Sequence, residues 1–294
     1  MVDSLPANVL AWQRQGMLRR VGDLDLFVVD TAPGGARRAV LLLHGFPSSG
    51  HDWHAVLPAL AGRRLVIPDL PGFGLSEKPA DYGYSLFEQA DCIEILLRDL
   101  GIDGIDLIGH DMGTSVATEL CARRERGLLG VRLESLLLMN GSVHIELARL
   151  TPAQKLLRSP LAGLFARLAS APVFRAQLRR ILARPIGRDE LDAMWALIRH
   201  RDGHLRMRQT IGYVSERFRY RRRWLGALRR LDIPTRILWG PDDPVAVAEI
   251  ARRLAADIPG ARLEWLPGLG HYPQLEDPAA TGAALRAFLD AHGG

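Results

Sequence analysis

Short apolar runs alternate with amphipathic stretches in two parts of the chain. Runs rich in Val, Ile and Leu predict buried strands, and the stretches between them carry apolar residues at a spacing near 3.6, which predicts helices. The predicted strands cover 39–43, 65–68, 105–108, 135–139, 235–239 and 262–266, and the predicted helices cover 85–100, 112–126, 247–257 and 278–291. Repeated strand–helix alternation of this kind predicts an α/β fold with a mostly parallel central sheet flanked by helices. Alternating apolar residues in 17–30 predict an antiparallel hairpin before it.

Residues 142–225 break this rhythm. They contain amphipathic patterns, such as the one at 190–199, and no convincing strand. We therefore predict a helical insertion at 142–225 that divides one sheet domain into 1–141 and 226–294.

The helical insertion is also strongly basic, with 18 Lys or Arg against 6 Asp or Glu. The whole chain has a net charge of +5 and a pI of about 9.7. Only Lys78 and Lys155 of the 38 bases are lysines, and so broad an arginine bias favours a solvated basic face over nucleic-acid binding. An acidic ligand, an anionic membrane surface or a partner remains the alternative.

Composition restricts the class of protein further. Hydrophobic residues make up 48% and charged residues 24% of the 294 residues, which is typical of a soluble globular enzyme. No apolar run reaches the roughly 20 residues of a membrane helix, and the first residues resemble no secretory signal. Cys92 and Cys121 both fall in predicted helices, where we expect reduced, core-filling thiols. These features favour a cytoplasmic protein.

A sharp turn follows the predicted strand 105–108. The sequence Gly109-His110-Asp111-Met112-Gly113 leads from that strand into a helix, which is the Gly-x-nucleophile-x-Gly pattern with Asp in the middle position. Glycines are needed because side chains would clash in so tight a turn. The turn would project Asp111 above the carboxyl ends of the strands, where α/β sheets bind ligands. The alternative is an Asp that only caps the helix.

Three further motifs follow other predicted strands. Residues 44–47 (HGFP) could place a backbone N–H at an oxyanion, residues 240–244 offer Asp242 or Asp243, and residues 268–273 offer His271. The order nucleophile, acid, histidine is that of an α/β-hydrolase triad. Either Asp could instead be a turn residue, and His271 a loop histidine.

These motifs resemble those of the α/β-hydrolases in the epoxide hydrolase and haloalkane dehalogenase branch, and within it the mesoderm-specific transcript-like proteins. The resemblance spans nearly the whole chain. It is carried by the sequences HGFP at 44–47, GFG at 72–74, FEQA at 87–90, His110-Asp111, Asn140-Gly141, RRRW at 221–224, Asp243-Pro244 and HYPQLEDP at 271–278.

The resemblance implies an aspartate nucleophile, and a carboxylate with a pKa of about 4 is already ionised at pH 7. Asp111 would attack an sp³ carbon and form an alkyl ester on the enzyme. His271 would then deprotonate the water that attacks this ester, and Asp243, third after the strand-ending glycine as in the family, would orient His271. The backbone N–H groups of Phe46 and Met112 would hold the oxyanion.

The leaving atom distinguishes two reactions. An epoxide oxygen needs a proton donor, and the resemblance places Tyr213 where epoxide hydrolases carry a ring-opening tyrosine, although an amphipathic packing role is the alternative. Epoxide hydrolases commonly carry two such tyrosines, but residues 85–212 contain none. Either one proton donor is sufficient, or His144 replaces the second tyrosine, or the substrate is not an epoxide. Haloalkane dehalogenases hold the leaving halide with side-chain N–H groups at the positions of Phe46 and Met112, and these two side chains have no N–H group. Trp195 could donate an N–H from the helical insertion, or it could pack in the core of the insertion.

The sequence thus predicts an epoxide hydrolase with a small-molecule substrate, and a haloalkane or haloacid dehalogenase as the alternative. A binding protein without activity, or a weak esterase, is less favoured because the triad is intact and Asp replaces Ser. We expect His44, Trp195 and His144 to contact substrate. His51 and His54 lie three residues apart, a spacing that packing on a helix surface explains, so we expect no bound metal. The sequence has no glycine-rich phosphate-binding loop in a fitting context, so we expect no nucleotide cofactor.

Overall fold

A central sheet organises the molecule. The computed structural model describes residues 5–292, and among them eight strands form one sheet in the order β1-β2-β4-β3-β5-β6-β7-β8. The strands are β1 (Met17–Val21), β2 (Leu24–Asp30), β3 (Arg38–Leu43), β4 (Leu65–Pro68), β5 (Gly104–His110), β6 (Arg132–Met139), β7 (Thr235–Trp239) and β8 (Arg262–Trp265). Each predicted strand is present to within a few residues.

Strand direction confirms the predicted α/β fold. The hairpin β1–β2 is antiparallel, β2 pairs antiparallel with β4, and every pair from β4 to β8 is parallel. In the shared register Leu43 lies beside Gly109, His110 beside Met139, and Met139 beside Leu238. The carboxyl ends of β3, β5, β6 and β7 therefore meet at one edge of the sheet, where the loops that follow them can share a site.

Helices cover both faces of the sheet. They are α1 (Ala7–Gln13), α2 (Leu86–Asp99), α3 (Met112–Glu125), α4 (Pro152–Leu157), α5 (Ala162–Arg167), α6 (Ala171–Arg179), α7 (Arg188–Arg199), α8 (Met207–Thr210), α9 (Tyr213–Arg219), α10 (Arg221–Arg229), α11 (Ala248–Asp257), α12 (Pro273–Glu276) and α13 (Pro278–His292). Three 3₁₀ helices cover Gly50–Leu60, Ile145–Leu147 and His200–Arg206. Helix α2 begins with a capping box, in which Ser85 and Glu88 satisfy each other's backbone N–H groups.

Alternation along β3 explains the two cores. Leu41 and Leu43 belong to one buried cluster, and Val40 and Leu42 belong to the other. Successive side chains of a strand point to opposite faces, so an uninterrupted apolar run is what a strand covered on both sides requires. Cys121 is buried in α3, as predicted from its place in a helix.

The helical insertion lies between β6 and β7. Within residues 140–234, all of which the structure describes, there are helices and loops but no strand. Its last helix, α10, packs on α3 through buried charge: the Arg223 guanidinium donates two hydrogen bonds to Glu119, and the Trp224 indole donates a third. Among residues 5–292 no helix combines the length and the apolar character that crossing a membrane requires.

Candidate active site

Asp111 occupies a strained turn between β5 and α3. Its backbone has φ 44° and ψ −111°, a conformation that non-glycine residues rarely adopt. The flanking glycines are needed for packing: a Cβ on Gly109 would lie 2.8 Å from the Gly113 carbonyl oxygen, and a Cβ on Gly113 would lie 2.5 Å from that of Leu43. Strain of this kind persists only where the surroundings enforce it and is common at functional sites. The geometry is that of the sharp strand-to-helix turn predicted from the sequence, and the side chain of Asp111 makes no helix-capping hydrogen bond.

The Asp111 carboxylate is held at the site predicted for an oxyanion. The backbone N–H of Phe46 donates to Asp111 Oδ2 over 2.9 Å. Met112 is the first residue of α3, where a backbone N–H has no carbonyl of a preceding helical turn to bind. One carboxylate oxygen therefore already lies where negative charge would be stabilised, which leaves the other to act on a substrate.

His271 and Asp243 form a buried pair. His271 Nδ1 donates to Asp243 Oδ2 over 2.7 Å, and Asp243 Oδ1 accepts from the N–H groups of Val245 and Ala246. Burial alone would lower the pKa of His271, but the charge and hydrogen bond of Asp243, with the charge of Asp111, outweigh it and raise this pKa to about 9. Burial works in the opposite direction on Asp243, where His271 and the hydrogen bonds keep the pKa below its ordinary value. Asp111, Asp243 and His271 are each at most 3% exposed, so bulk water is excluded.

Asn140 positions the acid, a role that the sequence motif Asn140-Gly141 did not reveal. It follows β6 with φ 41°. Its amide nitrogen lies 2.9 Å from Asp243 Oδ2 and 3.1 Å from each of the Gly240 and Gly270 carbonyl oxygens, so its two hydrogens are shared among three acceptors. Its oxygen accepts from the Gly240 N–H. Asn140 thus joins the loops that carry the acid and the histidine.

Tyr213 is buried at the start of α9 and faces this site. Its ring lies 5.6 Å from that of Phe46, and its hydroxyl accepts a hydrogen bond of 3.4 Å from the Gln154 amide. The Gln154 oxygen accepts from the Thr151 N–H, which fixes the amide orientation. Burial, then the charge of Asp111, raises the pKa of Tyr213 above its ordinary value. The phenol therefore keeps its proton and has it free to donate.

Arg217, which sequence analysis did not single out, lies one helical turn after Tyr213. Its guanidinium carbon lies 4.5 Å from the centre of the Tyr213 ring. The guanidinium donates to the Asp111 backbone carbonyl over 2.9 Å and to Ser115 Oγ over 2.7 Å. The buried Arg217 guanidinium therefore links α9 to the turn that carries Asp111. The i, i+4 spacing from Tyr213 was the signal for it, but the many other arginines of the insertion obscured that signal.

Tyr272 brings a second phenol to the site. It is fully buried, with its ring 5.1 Å from that of His271, and its hydroxyl lies near Ser48 but makes no hydrogen bond of suitable geometry among residues 5–292. Burial, then the charges of Asp52 and Asp111, raises its pKa well above the ordinary value. An unpaired buried hydroxyl is costly. Sequence analysis did not single out Tyr272, which lies in the sheet domain rather than in the helical insertion.

Comparison with known proteins identifies the family. The family described as alpha/beta hydrolase fold matches residues 38–278. The chain belongs to this family. The hydrolase is 43% identical to LipZ of Mycobacterium tuberculosis, over 89% of this chain and 91% of that protein. It is 36% identical to the mesoderm-specific transcript protein of Mus musculus, over 95% of this chain and 87% of that protein, which confirms the predicted resemblance.

Solved structures agree on the fold of this hydrolase. The haloalkane dehalogenase DbeA from Bradyrhizobium elkani superposes with a TM-score of 0.80 at 24% identity, covering 94% of this chain and 97% of that one. A bromoperoxidase from Bacillus anthracis superposes with a TM-score of 0.76 at 20% identity, covering 94% and 99%. These identities are low enough that the two likenesses establish the shared fold alone.

Three predicted substrate contacts have other partners in the structure. His44 uses both ring nitrogens on backbone: Nδ1 donates to the Gly45 carbonyl and Nε2 accepts from the Leu70 N–H, which leaves neither nitrogen for a hydrogen bond to substrate. Burial lowers the pKa of His44 to about 4, which keeps the ring neutral. It shapes the loop that carries Phe46 instead.

His144 does not replace a tyrosine. Its Nδ1 lies 3.2 Å from a Glu146 carboxylate oxygen and its Nε2 lies 3.0 Å from one of Asp257, at the end of α11. Both nitrogens face carboxylates, which leaves neither nitrogen for a hydrogen bond to substrate. Trp195 is half-buried with its ring 5.5 Å from that of Phe174, between α6 and α7, which supports the packing alternative.

A surface cavity of about 710 Å³ lies at the opposite end of the sheet. Its lining includes Arg37, Gly101 and Val131, which precede β3, β5 and β6. Because catalytic loops of this fold follow the carboxyl ends of strands, we do not assign this cavity to the active site.

Proposed function

We propose that this hydrolase adds water to an epoxide, giving a vicinal diol through an ester on Asp111. One observation carries the proposal: the Tyr213 phenol, whose oxygen accepts from Gln154, keeps a free proton in the same buried site as a carboxylate nucleophile. Epoxide opening needs both groups, because the ring oxygen must gain a proton as the carbon gains a new bond. A halide would need N–H donors, which the Phe46 and Met112 side chains do not supply.

The first step makes and breaks one bond. The Asp111 oxygen that is not held by the Phe46 N–H attacks an epoxide carbon, and the carbon–oxygen bond of the ring breaks. The electron pair of that bond goes to the ring oxygen, which takes the proton of Tyr213. The product is a hydroxyalkyl ester of Asp111. Tyr272 can share this proton transfer, since its hydroxyl has no other partner in residues 5–292.

The second step regenerates the enzyme. Formation of the ester removes the charge of Asp111, which is one of the groups that raise the pKa of His271. The resting imidazolium, now less basic, gives its proton to the Tyr213 phenolate that the first step leaves. The neutral imidazole then accepts a proton from water, while Asp243 stabilises the imidazolium that re-forms. The hydroxide attacks the ester carbonyl carbon, and the Phe46 and Met112 N–H groups hold the oxyanion, a contribution of about 3 kcal/mol per donor. The tetrahedral intermediate then breaks its bond to the alkyl oxygen, which takes the proton of the new carboxyl group and leaves as the diol. Asp111 is again a carboxylate and His271 again an imidazolium.

In this proposal the helical insertion 142–225 serves as the cap. It supplies Tyr213, Gln154 and Arg217, so the proton donor and the two groups that contact it come from outside the sheet. The surrounding side chains of Phe46, Phe73 and Met112 are buried and apolar, which favours an uncharged organic epoxide as the substrate.

A trapped ester tests the proposal. His271→Gln should stop the second step, so incubation with terminal epoxides should add one substrate mass to the protein, on the peptide that contains Asp111. Primary alkyl bromides of the same chain length should give no adduct. His271→Gln combined with Asp111→Asn is the control and should stay unmodified. An adduct formed only by bromides would show a dehalogenase, and an adduct with neither would reject alkylation by Asp111.

The proton donor is tested separately. Tyr213→Phe should slow formation of the ester from epoxides about a hundredfold, the usual contribution of general acid catalysis. Tyr220→Phe is the matched control, because this tyrosine lies in the same insertion but packs on Phe87 and Trp224. An epoxide rate equal in wild type and Tyr213→Phe would show that the phenol does not protonate the leaving oxygen.

A further inference from the structure

Two histidines and a glutamate meet between the sheet domain and the helical insertion. His51 and His54 lie in the 3₁₀ helix Gly50–Leu60, and Glu190 lies in the first turn of α7. His51 Nδ1 lies 3.2 Å from Glu190 Oε1, and His54 Nε2 lies 3.6 Å from Glu190 Oε2. One donor atom from each residue falls within 4.8 Å of the other two.

The helix type explains why both imidazoles face Glu190. A 3₁₀ helix has three residues per turn, so side chains at i and i+3 lie directly above one another. The rings of His51 and His54 are accordingly stacked, with centres 4.4 Å apart and planes 19° apart. In an α-helix, with 3.6 residues per turn, the same two side chains would be neighbours but offset around the helix axis.

The donor atoms lack hydrogen-bond partners. Within residues 5–292, His51 Nδ1 and Glu190 Oε1 are buried and neither makes a hydrogen bond, even to the other, because the angle between them is unsuitable. Leaving buried polar atoms unpaired costs about 1–3 kcal/mol each. His51 is only 1% exposed, so water does not compensate for it. Two buried polar atoms that lie 3.2 Å apart without a hydrogen bond, with His54 beside them, form a cluster that could hold a cation.

His54 is oriented as a metal ligand. Its Nδ1 donates to the His51 carbonyl oxygen over 2.9 Å, so Nε2 is the nitrogen that carries the lone pair. A hydrogen bond from the second ring nitrogen to a carbonyl is the usual support of a metal-bound histidine. The His54 side chain is 34% exposed, which gives an ion a path from solvent and room for a water ligand.

We propose that His51, His54 and Glu190 bind one Zn²⁺ ion that links the helical insertion to the sheet domain. Two imidazoles and a carboxylate are a ligand set that zinc accepts, whereas Ca²⁺ and Mg²⁺ prefer oxygen alone. Zinc–ligand bonds of about 2.0–2.1 Å in a tetrahedron place neighbouring ligand atoms roughly 3.3 Å apart. The separations of His51 and His54 from Glu190, 3.2 and 3.6 Å, are close to this value. The ion would join two segments that contribute no member of the triad.

Zinc binding is measured directly, without any substrate. The full chain, stripped with a chelator and dialysed, is titrated with Zn²⁺ against a chromophoric chelator. Wild type should bind one zinc per chain, and both Glu190→Gln and His54→Gln should bind it at least about tenfold more weakly. Asp189→Asn is the matched control, because it removes a neighbouring exposed carboxylate from the same helix turn and should leave binding unchanged.

Thermal unfolding supplies a second readout. At a free zinc concentration a hundredfold above Kd, the unfolding midpoint of wild type and Asp189→Asn should rise by about 4 °C, and that of Glu190→Gln should not. The partly exposed His54 is replaceable without opening the core, so its variant remains informative if Glu190→Gln does not fold. Wild type that binds no zinc, or equal binding by wild type and His54→Gln, would overturn the proposal.

Discussion

The charge on His271 makes the stability of the folded chain depend on alkaline pH. Its pKa is raised from an ordinary 6.5 to about 9, chiefly because the Asp243 carboxylate and its hydrogen bond outweigh the opposing effect of burial. A group that binds its proton more tightly in the folded state stabilises that state wherever the proton is bound. This contribution is fully present below pH 6.5 and is lost as the pH rises through about 9.

The size of the effect follows from the same two values. The interval from 6.5 to about 9 corresponds to about 3 kcal/mol of unfolding free energy, at 1.36 kcal/mol per pH unit. His271 is buried, so solvent does not screen its interaction with Asp243. Asp243 adds a separate dependence of opposite sign: its pKa is lowered, so its contribution is lost as the pH falls in the acid range. The two dependences therefore occupy different pH ranges.

Urea unfolding, followed by tryptophan fluorescence, measures this term at about pH 6 and about pH 9.5. The difference in unfolding free energy between wild type and His271→Gln should shrink by about 3 kcal/mol between these values. Asp243→Asn should remove most of this pH dependence although it keeps His271, because the carboxylate that raises the pKa is gone. Parallel stability curves for wild type and His271→Gln across this range would refute the assignment of a raised pKa to His271.

Two further substitutions test how the site is built. Asn140→Ala should lower the unfolding free energy by about 2 kcal/mol, because the Asp243 oxygen and two buried carbonyls lose their donor; a change under about 0.5 kcal/mol in urea unfolding would contradict that role. Gly113→Ala should cost about 1–3 kcal/mol, since its Cβ would lie 2.5 Å from the Leu43 carbonyl oxygen. Gly130→Ala, with open space around its Cβ, should change stability little, and equal effects of the two alanines would argue against the tight turn.

Local patterns predicted the fold because each strand, and the turn at Asp111, has its own pattern within a short stretch of sequence. Buried parallel strands require apolar runs, and the glycines at 109 and 113 mark a turn that no larger side chain fits, so periodicity and spacing located both the sheet and Asp111. The segments that carry Asp111, Asp243 and His271 each follow a strand. The parallel register then brings these ends together without further information.

Contacts across the chain were beyond the reach of those patterns. Tyr272 follows His271 directly in the sequence, but only the fold of the turn before α12 determines that its phenol is buried against the His271 ring. His144 looked available as a donor because its distant partner Asp257 could not be foreseen. Glu190 has no local signal that connects it with His51, since the two meet only when α7 packs on the sheet domain.

Labelled water tests the central claim, that Asp111 itself bonds to the substrate carbon. One turnover is run with the enzyme in excess over an epoxide in H₂¹⁸O, and both the diol and the peptide that contains Asp111 are analysed by mass spectrometry. If an ester forms and water attacks its carbonyl carbon, the first diol takes its new oxygen from Asp111 and stays unlabelled, while the peptide gains one ¹⁸O. A labelled diol with an unlabelled peptide would show that water attacks the epoxide directly, and would contradict the mechanism proposed for this site.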